Sequence, residues 1–195
     1  MSKSDSATPG KQRKKTAIWV ITIFIVTIIV SATISLISEE VMAGSGTLTA
    51  FLILFGIVLL GILFDIIGVA VTSADETPLH AMAARKVSGA REAIRLLRKA
   101  DKVSSICNDV VGDICGVVSG SAAASIAVQL LQTFEFSWER MASLIMSAMV
   151  AGVTVGGKAI GKTFAVNSST TIVHCVGKVI FWLGRLPAFF RRKKT

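Results

Sequence analysis

The chain has 195 residues, of which 52% are hydrophobic and only 17% charged, and it carries a net charge of +9. Soluble domains usually have about a quarter charged residues, and the charges here lie between long apolar runs, so an ordinary soluble domain is excluded. Because the basic residues flank those runs, membrane topology explains the positive charge better than a nucleic-acid ligand. Cys107, Cys115 and Cys175 form no C-x-x-C motif, which argues against a zinc site or a disulfide framework.

The N-terminal part combines a basic tail with the first apolar segment. Residues 1–16 are polar and basic and predict a disordered tail. Residues 17–38 carry no charge, and their length suffices for one crossing of the hydrocarbon, which needs about 20 apolar residues. A signal peptide is the alternative, because Val41-Met42-Ala43 resembles a cleavage site, but its apolar region is normally about 7–15 residues long. We therefore favour a retained helix.

Three further apolar segments predict the remaining spans. They lie at residues 49–72, 104–131 and 141–156, and the last of them is short and able to extend to Ile160. The first of these segments contains one acidic residue and the second contains two. The predicted fold class is therefore all-α, a multi-pass membrane protein with about four transmembrane helices.

The distribution of basic residues predicts the orientation of the chain. Of the 21 Lys and Arg residues, 20 lie in the N-terminal tail, in residues 74–103, or from Lys158 onward. The loops at 39–47 and 133–140 contain only one base between them. Because cytoplasmic segments carry the excess of Lys and Arg, we expect both termini to be cytoplasmic and the protein to lie in the plasma (inner) membrane. Four crossings agree with that orientation.

Two segments outside the spans are expected to be amphipathic juxtamembrane helices. Residues 80–102 place apolar side chains at helical spacing and basic side chains on other faces, so this helix should lie along the inner headgroup layer near anionic lipid. Residues 171–190 are apolar but contain two bases, which favours an interfacial helix with Trp182 as an anchor. The alternative is a fifth crossing, which would place the basic residues 191–195 outside.

Oxygen-bearing side chains in and beside the spans are the candidate ion ligands. Carboxylates, amides and hydroxyls are the hard ligands that Mg²⁺ and Ca²⁺ accept, and an acid at membrane depth is costly, about 2.5–3.5 kcal/mol at the helix centre. The candidate metal ligands are Asp65, Ser73, Asp75, Asn108, Asp109 and Asp113. For Asp109 and Asp113, structural ion pairs with Lys102, Lys158 or Lys162 are an equal alternative.

Small residues extend one face of the third span. Asp109 and Asp113 are four residues apart and share a helix face, which Gly116 and Gly120 continue. Small residues at this spacing allow close approach of helices, so we expect this face to be buried in protein.

The motifs expected of an enzyme are missing. The glycine- and lysine-rich run at residues 156–162 lacks the spacing and the preceding strand of a phosphate-binding loop. No arrangement of nucleophile and base suits hydrolysis in the membrane. We therefore expect no enzymatic activity.

Three short motifs are similar to those of one transporter family. Residues 73–79 (SADETPL), 106–111 (ICNDVV) and 157–162 (GKAIGK) resemble, in order and approximate spacing, the S-x-S-E-T-A-L, G-N-T-L-V-N and G-E-x-x-P-K motifs of the CNNM/CorB/CorC magnesium transporters. The basic helix ending at residues 93–97 falls where that family has its juxtamembrane helices. Residues 49–190 thus resemble the transmembrane domain of this family.

The resemblance implies a three-helix core, usually a homodimer, that holds a dehydrated Mg²⁺ among Ser, Asn and backbone oxygens. By position, Ser73 and Asn108 correspond to family ligands, while Asp75 stands in place of a second Ser. Gly112 stands in place of a second Asn, and Lys158 replaces a Glu. The span at residues 17–38 is additional, and the family's CBS-domain pair is not expected.

These observations predict a divalent cation transporter, moving Mg²⁺ as a homodimer in the lipid bilayer. The alternative is a membrane interaction or regulatory subunit that keeps the fold without transporting. A small pore-forming protein is a third possibility, against which the acidic and amide side chains within the spans count.

Overall fold

The computed structural model describes residues 9–43, 46–134 and 139–191, which are helical throughout apart from short connections. The α-helices are α1 (Pro9–Ala43), α2 (Thr47–Ser73), α3 (Glu76–Ala84), α4 (Ala90–Leu97), α5 (Ala100–Ser105), α6 (Asp113–Phe134), α7 (Glu139–Asn167) and α8 (Ser169–Arg191), with a π-helical turn at Ile106–Gly112 between α5 and α6.

Four helical segments are long and apolar enough to cross a membrane. They are Ala17–Ser38, Thr47–Ser73, Ala100–Val128 and Ser143–Asn167. The all-α, multi-pass fold class is therefore confirmed, and the protein associates with a lipid bilayer. Helix α1 begins at Pro9, within the segment predicted to be a disordered tail, whose residues 1–8 lie outside the described part.

The predicted end of the fourth span was wrong. Helix α7 continues to Asn167 instead of ending between Gly156 and Ile160, so Lys158 and Lys162 lie within the spanning helix. The glycines of this region do not break the helix. They let α7 pack closely on α2, since a Cβ at Gly157 would lie 2.5 Å from Ile62 Cδ1.

Helix α2 is the centre of the bundle and contacts α6, α7, the π-helical turn and α8. Toward the α2 N-terminus its packing is entirely apolar. The buried cluster there, named the apolar cluster, consists of Ala50, Leu54, Val58, Ala122, Ala123 and Ile126. Toward the α2 C-terminus the same helix meets the π-helical turn, α8 and the short helices.

Helix α1 lies on the outside of this core. Its side chains Ile23, Val30 and Ile34 pack against a small cluster centred on Ile114 of α6. Most of the α1 surface has no protein neighbour, since none of its most apolar window is buried. The described side chains of residues 17–38 therefore face the bilayer except where they contact α2, α6 or Lys102 of α5.

The single amphipathic helix predicted at residues 80–102 is wrong, because the segment folds as α3, α4 and α5. The chain turns after α3 through Lys86 and Gly89, whose φ angles are 56° and 84°. Gly89 lies against the backbone of Gly177 and Lys178 in α8, where a Cβ would overlap. A left-handed glycine in close contact with another helix thus ends the helical register.

The apolar face of α4 is covered by protein, and the predicted position of the segment along the headgroup layer stays a prediction. Ala93, Ile94 and Leu97 are buried in a cluster with Leu79 of α3 and Val173 of α8. These neighbours supply the apolar partner that lipid would otherwise supply. The basic side chains of the segment remain exposed: Arg85, Lys86, Arg91, Arg95, Arg98, Lys99 and Lys102.

Helix α8 follows α7 after a single non-helical residue, Ser168. Its first half packs on α2 and α4, whereas the second half exposes large apolar side chains that include Trp182. The apolar part, Ser169–Gly184, is shorter than the four candidate spans. The predicted basic end lies outside the described side chains, so the choice between an interfacial helix and a fifth crossing stays a prediction.

Candidate functional site

A buried carboxylate lies in the second half of α2. Asp65 is only 4% exposed, and its Oδ2 atom has no hydrogen-bond partner. The nearest cation is Lys162 Nζ of α7, 3.8 Å from Oδ2, on a side chain that is 55% exposed. Asp65 lies eight residues before the end of α2 at Ser73, or about 12 Å along the helix axis. The carboxylate is thus at membrane depth and only partly compensated.

A second lysine reaches the same place from α7. Lys158 Nζ donates a hydrogen bond to the carbonyl oxygen of Gly112 at 3.3 Å. A Cβ built on Gly112 would lie 3.4 Å from this Nζ and 3.8 Å from Asp65 Oδ1. The ammonium group and the carboxylate therefore both border one backbone position, where the absence of a side chain leaves space.

The π-helical turn supplies the third part of the site. Asn108 Nδ2 donates to Ser104 Oγ at 3.2 Å, whereas Asn108 Oδ1 is buried without a partner. This amide packs against Gly68 of α2, where any Cβ would overlap with Oδ1. A buried oxygen without a hydrogen bond costs about 1–3 kcal/mol, and π-helical turns occur frequently at functional sites. The unpartnered amide oxygen is therefore a candidate ligand atom.

We name Asp65, Asn108, the Gly112 carbonyl and Lys158 the intramembrane site. Small residues permit this arrangement, since α2 approaches the turn and α6 closely at Gly61 and Gly68. A Cβ at Gly61 would lie 2.8 Å from Cys115 Cβ. Close helix approach through small residues is how membrane bundles bring polar groups together.

Of the six predicted ligands, Asp65 and Asn108 have buried oxygens without hydrogen-bond partners, whereas the other four residues are exposed. Ser73 is exposed at the end of α2, and its carbonyl accepts a hydrogen bond from Ser169 Oγ at 3.4 Å. Asp109 is exposed and accepts from Ser105 Oγ at 2.7 Å, and Asp113 is exposed as well.

Asp75 caps the N-terminus of α3. Its Oδ1 accepts from the backbone N–H and from the hydroxyl of Thr77, each at 3.1 Å. The backbone bond, followed by the hydroxyl bond, lowers the pKa of this exposed carboxyl from its ordinary value. Asp75 Oδ1 therefore accepts two hydrogen bonds from the first turn of α3, as expected of a residue that caps a helix.

The face of the third span predicted to be buried was assigned wrongly. Asp109, Asp113 and Gly120 are exposed, and a Cβ at Gly116 or Gly120 would meet nothing within 4 Å. The buried face contains instead Gly112, Cys115 and Ser119, together with the apolar residues beside them. Both faces carry small residues at the same spacing, so the sequence pattern alone did not distinguish them.

Lys158 was predicted only as a possible ion-pair partner of two acids in the third span and as the replacement of a Glu in a motif, not as a neighbour of Asp65. Its signal was a lysine within a continuous helical segment whose glycines could pack on the helix that carries Asp65. Gly112 was recognised only by its position in a motif, and its importance lies in the backbone carbonyl that it exposes to Lys158.

The intramembrane site contains one acidic side chain, Asp65. Among the residues that the structure describes, no three His, Cys, Asp or Glu side chains are grouped so as to hold a metal ion. One carboxylate, one amide oxygen and one carbonyl oxygen would hold a partly hydrated cation weakly.

No protein-family model matches the sequence, and no curated protein is significantly similar to it.

Proposed function

We propose that the protein transports a divalent cation, most consistent with Mg²⁺, through the intramembrane site. The observation that supports this is the pair of buried oxygens without hydrogen-bond partners, Asp65 Oδ2 and Asn108 Oδ1, at membrane depth. Ionisable groups at this depth are costly and typically mark ion pathways. A passing cation would supply the partner that both oxygens lack.

The chemistry of the site suits Mg²⁺ as cargo. Mg²⁺ prefers oxygen ligands and usually keeps several waters while one or two carboxylates bind it. Asp65 supplies the carboxylate, and Asn108 and Gly112 supply neutral oxygens. Weak binding is an advantage in transport, because the ion must leave the site again.

The same proposal includes the orientation of the chain. With four crossings, the short helices α3–α5 and the start of α8 lie on the side where basic residues are concentrated. The excess of Lys and Arg favours the cytoplasmic side of the plasma membrane, with both termini there. The exposed bases of α4, such as Arg91 and Arg95, would then face anionic lipid of the inner leaflet.

A homodimer is the second structural element of the proposal. Asp113 is exposed near the middle of the third span, beside the open positions Gly116 and Gly120. A carboxylate facing lipid at this depth is unfavourable, and small residues allow another helix to approach. A second copy covering this face would satisfy both. We expect a mass measurement in detergent to give a dimer for the wild type and a monomer for Gly120→Leu. A monomer for both proteins would reject the homodimer.

A second candidate function is favoured by the two lysines. Lys162 lies 3.8 Å from Asp65 Oδ2, and Lys158 is bonded beside it, so the carboxylate has cationic neighbours without any bound metal. A membrane interaction or regulatory subunit could use such a cluster to hold its helices together. A subunit of this kind would bind no divalent cation and would co-purify with another membrane protein.

The test is Mg²⁺ uptake into proteoliposomes, followed with an enclosed Mg²⁺ indicator. We expect uptake by the wild type and a large loss in Asn108→Ala. The matched control is Asn167→Ala, at the exposed end of α7, which should transport normally. No uptake by any protein would favour the interaction subunit, and simultaneous release of an enclosed dye would indicate a pore.

A further inference from the structure

Lys158 differs from the other basic residues in the place that its ammonium group occupies. Its Nζ lies within hydrogen-bond distance of the Gly112 carbonyl, and Nζ and Asp65 Oδ1 both lie within 4 Å of the place that a Cβ on Gly112 would take. Its Cα is nine residues before the end of α7 at Asn167, or about 13 Å along the helix. The ammonium is therefore bonded to one of the oxygens that we propose as ion ligands, the Gly112 carbonyl.

A divalent cation and this ammonium cannot share the site without strong repulsion. The carboxylate of Asp65 carries one negative charge, whereas Lys158 and Lys162 together carry two positive charges. Addition of Mg²⁺ to that set would place three cations around one buried anion. Like charges at such short distances repel strongly where water is largely excluded.

The two lysines are not equivalent. Lys162 is one helical turn nearer the end of α7, its side chain is 55% exposed, and its Nζ lies 3.8 Å from Asp65 Oδ2. Lys158 is half-buried and is the lysine bonded to the site's backbone carbonyl. A lysine has a long flexible stem, and its ammonium can move toward the membrane surface without a change in the helix.

We propose that Lys158 is a tethered competitor of the transported cation: its ammonium group occupies the intramembrane site between transport events, and an entering ion must displace it. The inference rests on the proposed function in taking Mg²⁺ as the entering ion. Displacement of an internal cation lowers the affinity for the external one, and the return of the ammonium assists release. Lys158 thereby sets the affinity of the site.

The experiment compares Mg²⁺ binding by calorimetry to the full chain in nanodiscs. Lys158→Met keeps the length of the side chain and removes its charge, so we expect binding at least about 10-fold tighter than in the wild type. Lys158→Arg keeps the charge and should bind no more tightly than the wild type. Lys162→Met is the matched control, with a much smaller effect, and Asp65→Asn added to Lys158→Met should remove the gain.

The outcomes separate this inference from the proposed function. Equal or weaker Mg²⁺ binding by Lys158→Met, in a protein that remains monodisperse and melts normally, overturns the competition. If Lys158→Met does not assemble, Lys158→Gln replaces it, and failure of both variants to assemble makes Lys158 a structural residue and also overturns the inference. Tighter binding by Lys158→Met without Mg²⁺ uptake by the wild type would overturn transport but support the competition.

Discussion

The two halves of the helical core are built on the same helices but by different chemistry. Around the apolar cluster, α2, α6 and α7 pack through buried side chains such as Leu54 and Ile126 alone. Around the intramembrane site, they enclose Asp65, Asn108 and Lys158 beside a π-helical turn. Among the described residues, the first half contains no buried charged side chain. The polar groups of the second half therefore indicate a function other than packing.

The largest effect on stability is expected in the apolar half. Ile126 is fully buried, and Ile126→Ala should lower the free energy of unfolding by about 2–5 kcal/mol because it leaves a cavity. The measurement is reversible unfolding in mixed micelles, with Val128→Ala, a half-exposed position on the same helix, as the control. Mg²⁺ uptake by the folded fraction should not change. A loss of uptake by Ile126→Ala at normal stability would mean that the apolar half also takes part in transport.

The next effect tests the close approach that connects the halves. In Gly61→Ala, the new Cβ would lie 2.8 Å from Cys115 Cβ, so α2 and α6 must separate. Overpacking of this kind costs about 1–3 kcal/mol. Gly56→Ala on the same helix has open space and should be neutral or slightly stabilising. Equal unfolding free energies for the two variants would contradict the described packing.

The sequence predicted the spans well because apolar length is a local property. Residues 49–72 correspond closely to α2, whose limits are Thr47 and Ser73. The end of α7 was predicted less well, since Lys158 and Lys162 are polar by type, whereas in the fold Lys162 pairs with Asp65 of α2 and Lys158 donates to the Gly112 carbonyl. That partnership is tertiary and cannot be seen in a local pattern.

The site was predictable only in part for the same reason. Asp65 was singled out because a charge within an apolar run is informative by itself. Asn108 and Asp109 are adjacent, and only the helix packing decides which of them faces the core. Gly89, which ends the predicted helix at 80–102, acts through its contact with α8, which the sequence does not reveal.

A smaller effect concerns the attachment of α1 near the polar half. Lys102 Nζ lies 5.1 Å from the centroid of the Trp19 ring. Such a cation–π contact at an exposed position contributes about 0.5–1 kcal/mol, so Trp19→Ala should destabilise by that amount in addition to lost ring contacts. A double-mutant cycle with Lys102→Met isolates the pair. A coupling energy of zero would mean that the two side chains do not interact.

The smallest effect is a local pH dependence at the start of α3. The pKa of Asp75 is lowered below its ordinary value of 3.8, so capping is fully present above that value and is lost as the pH falls through the folded pKa. Amide exchange of the first turn of α3 should therefore accelerate in acid. Asp75→Asn should remove this acceleration. Identical acid profiles for both proteins would show that the cap does not depend on the charge.

The most direct test of transport through the intramembrane site compares Mg²⁺ uptake by two matched carboxylate variants in proteoliposomes. Asp65→Asn neutralises the buried carboxylate of the intramembrane site, whereas Asp101→Asn neutralises an exposed one in α5. We expect Asp65→Asn to reduce uptake to the level of protein-free liposomes and Asp101→Asn to transport like the wild type. Wild-type uptake by Asp65→Asn would contradict this expectation.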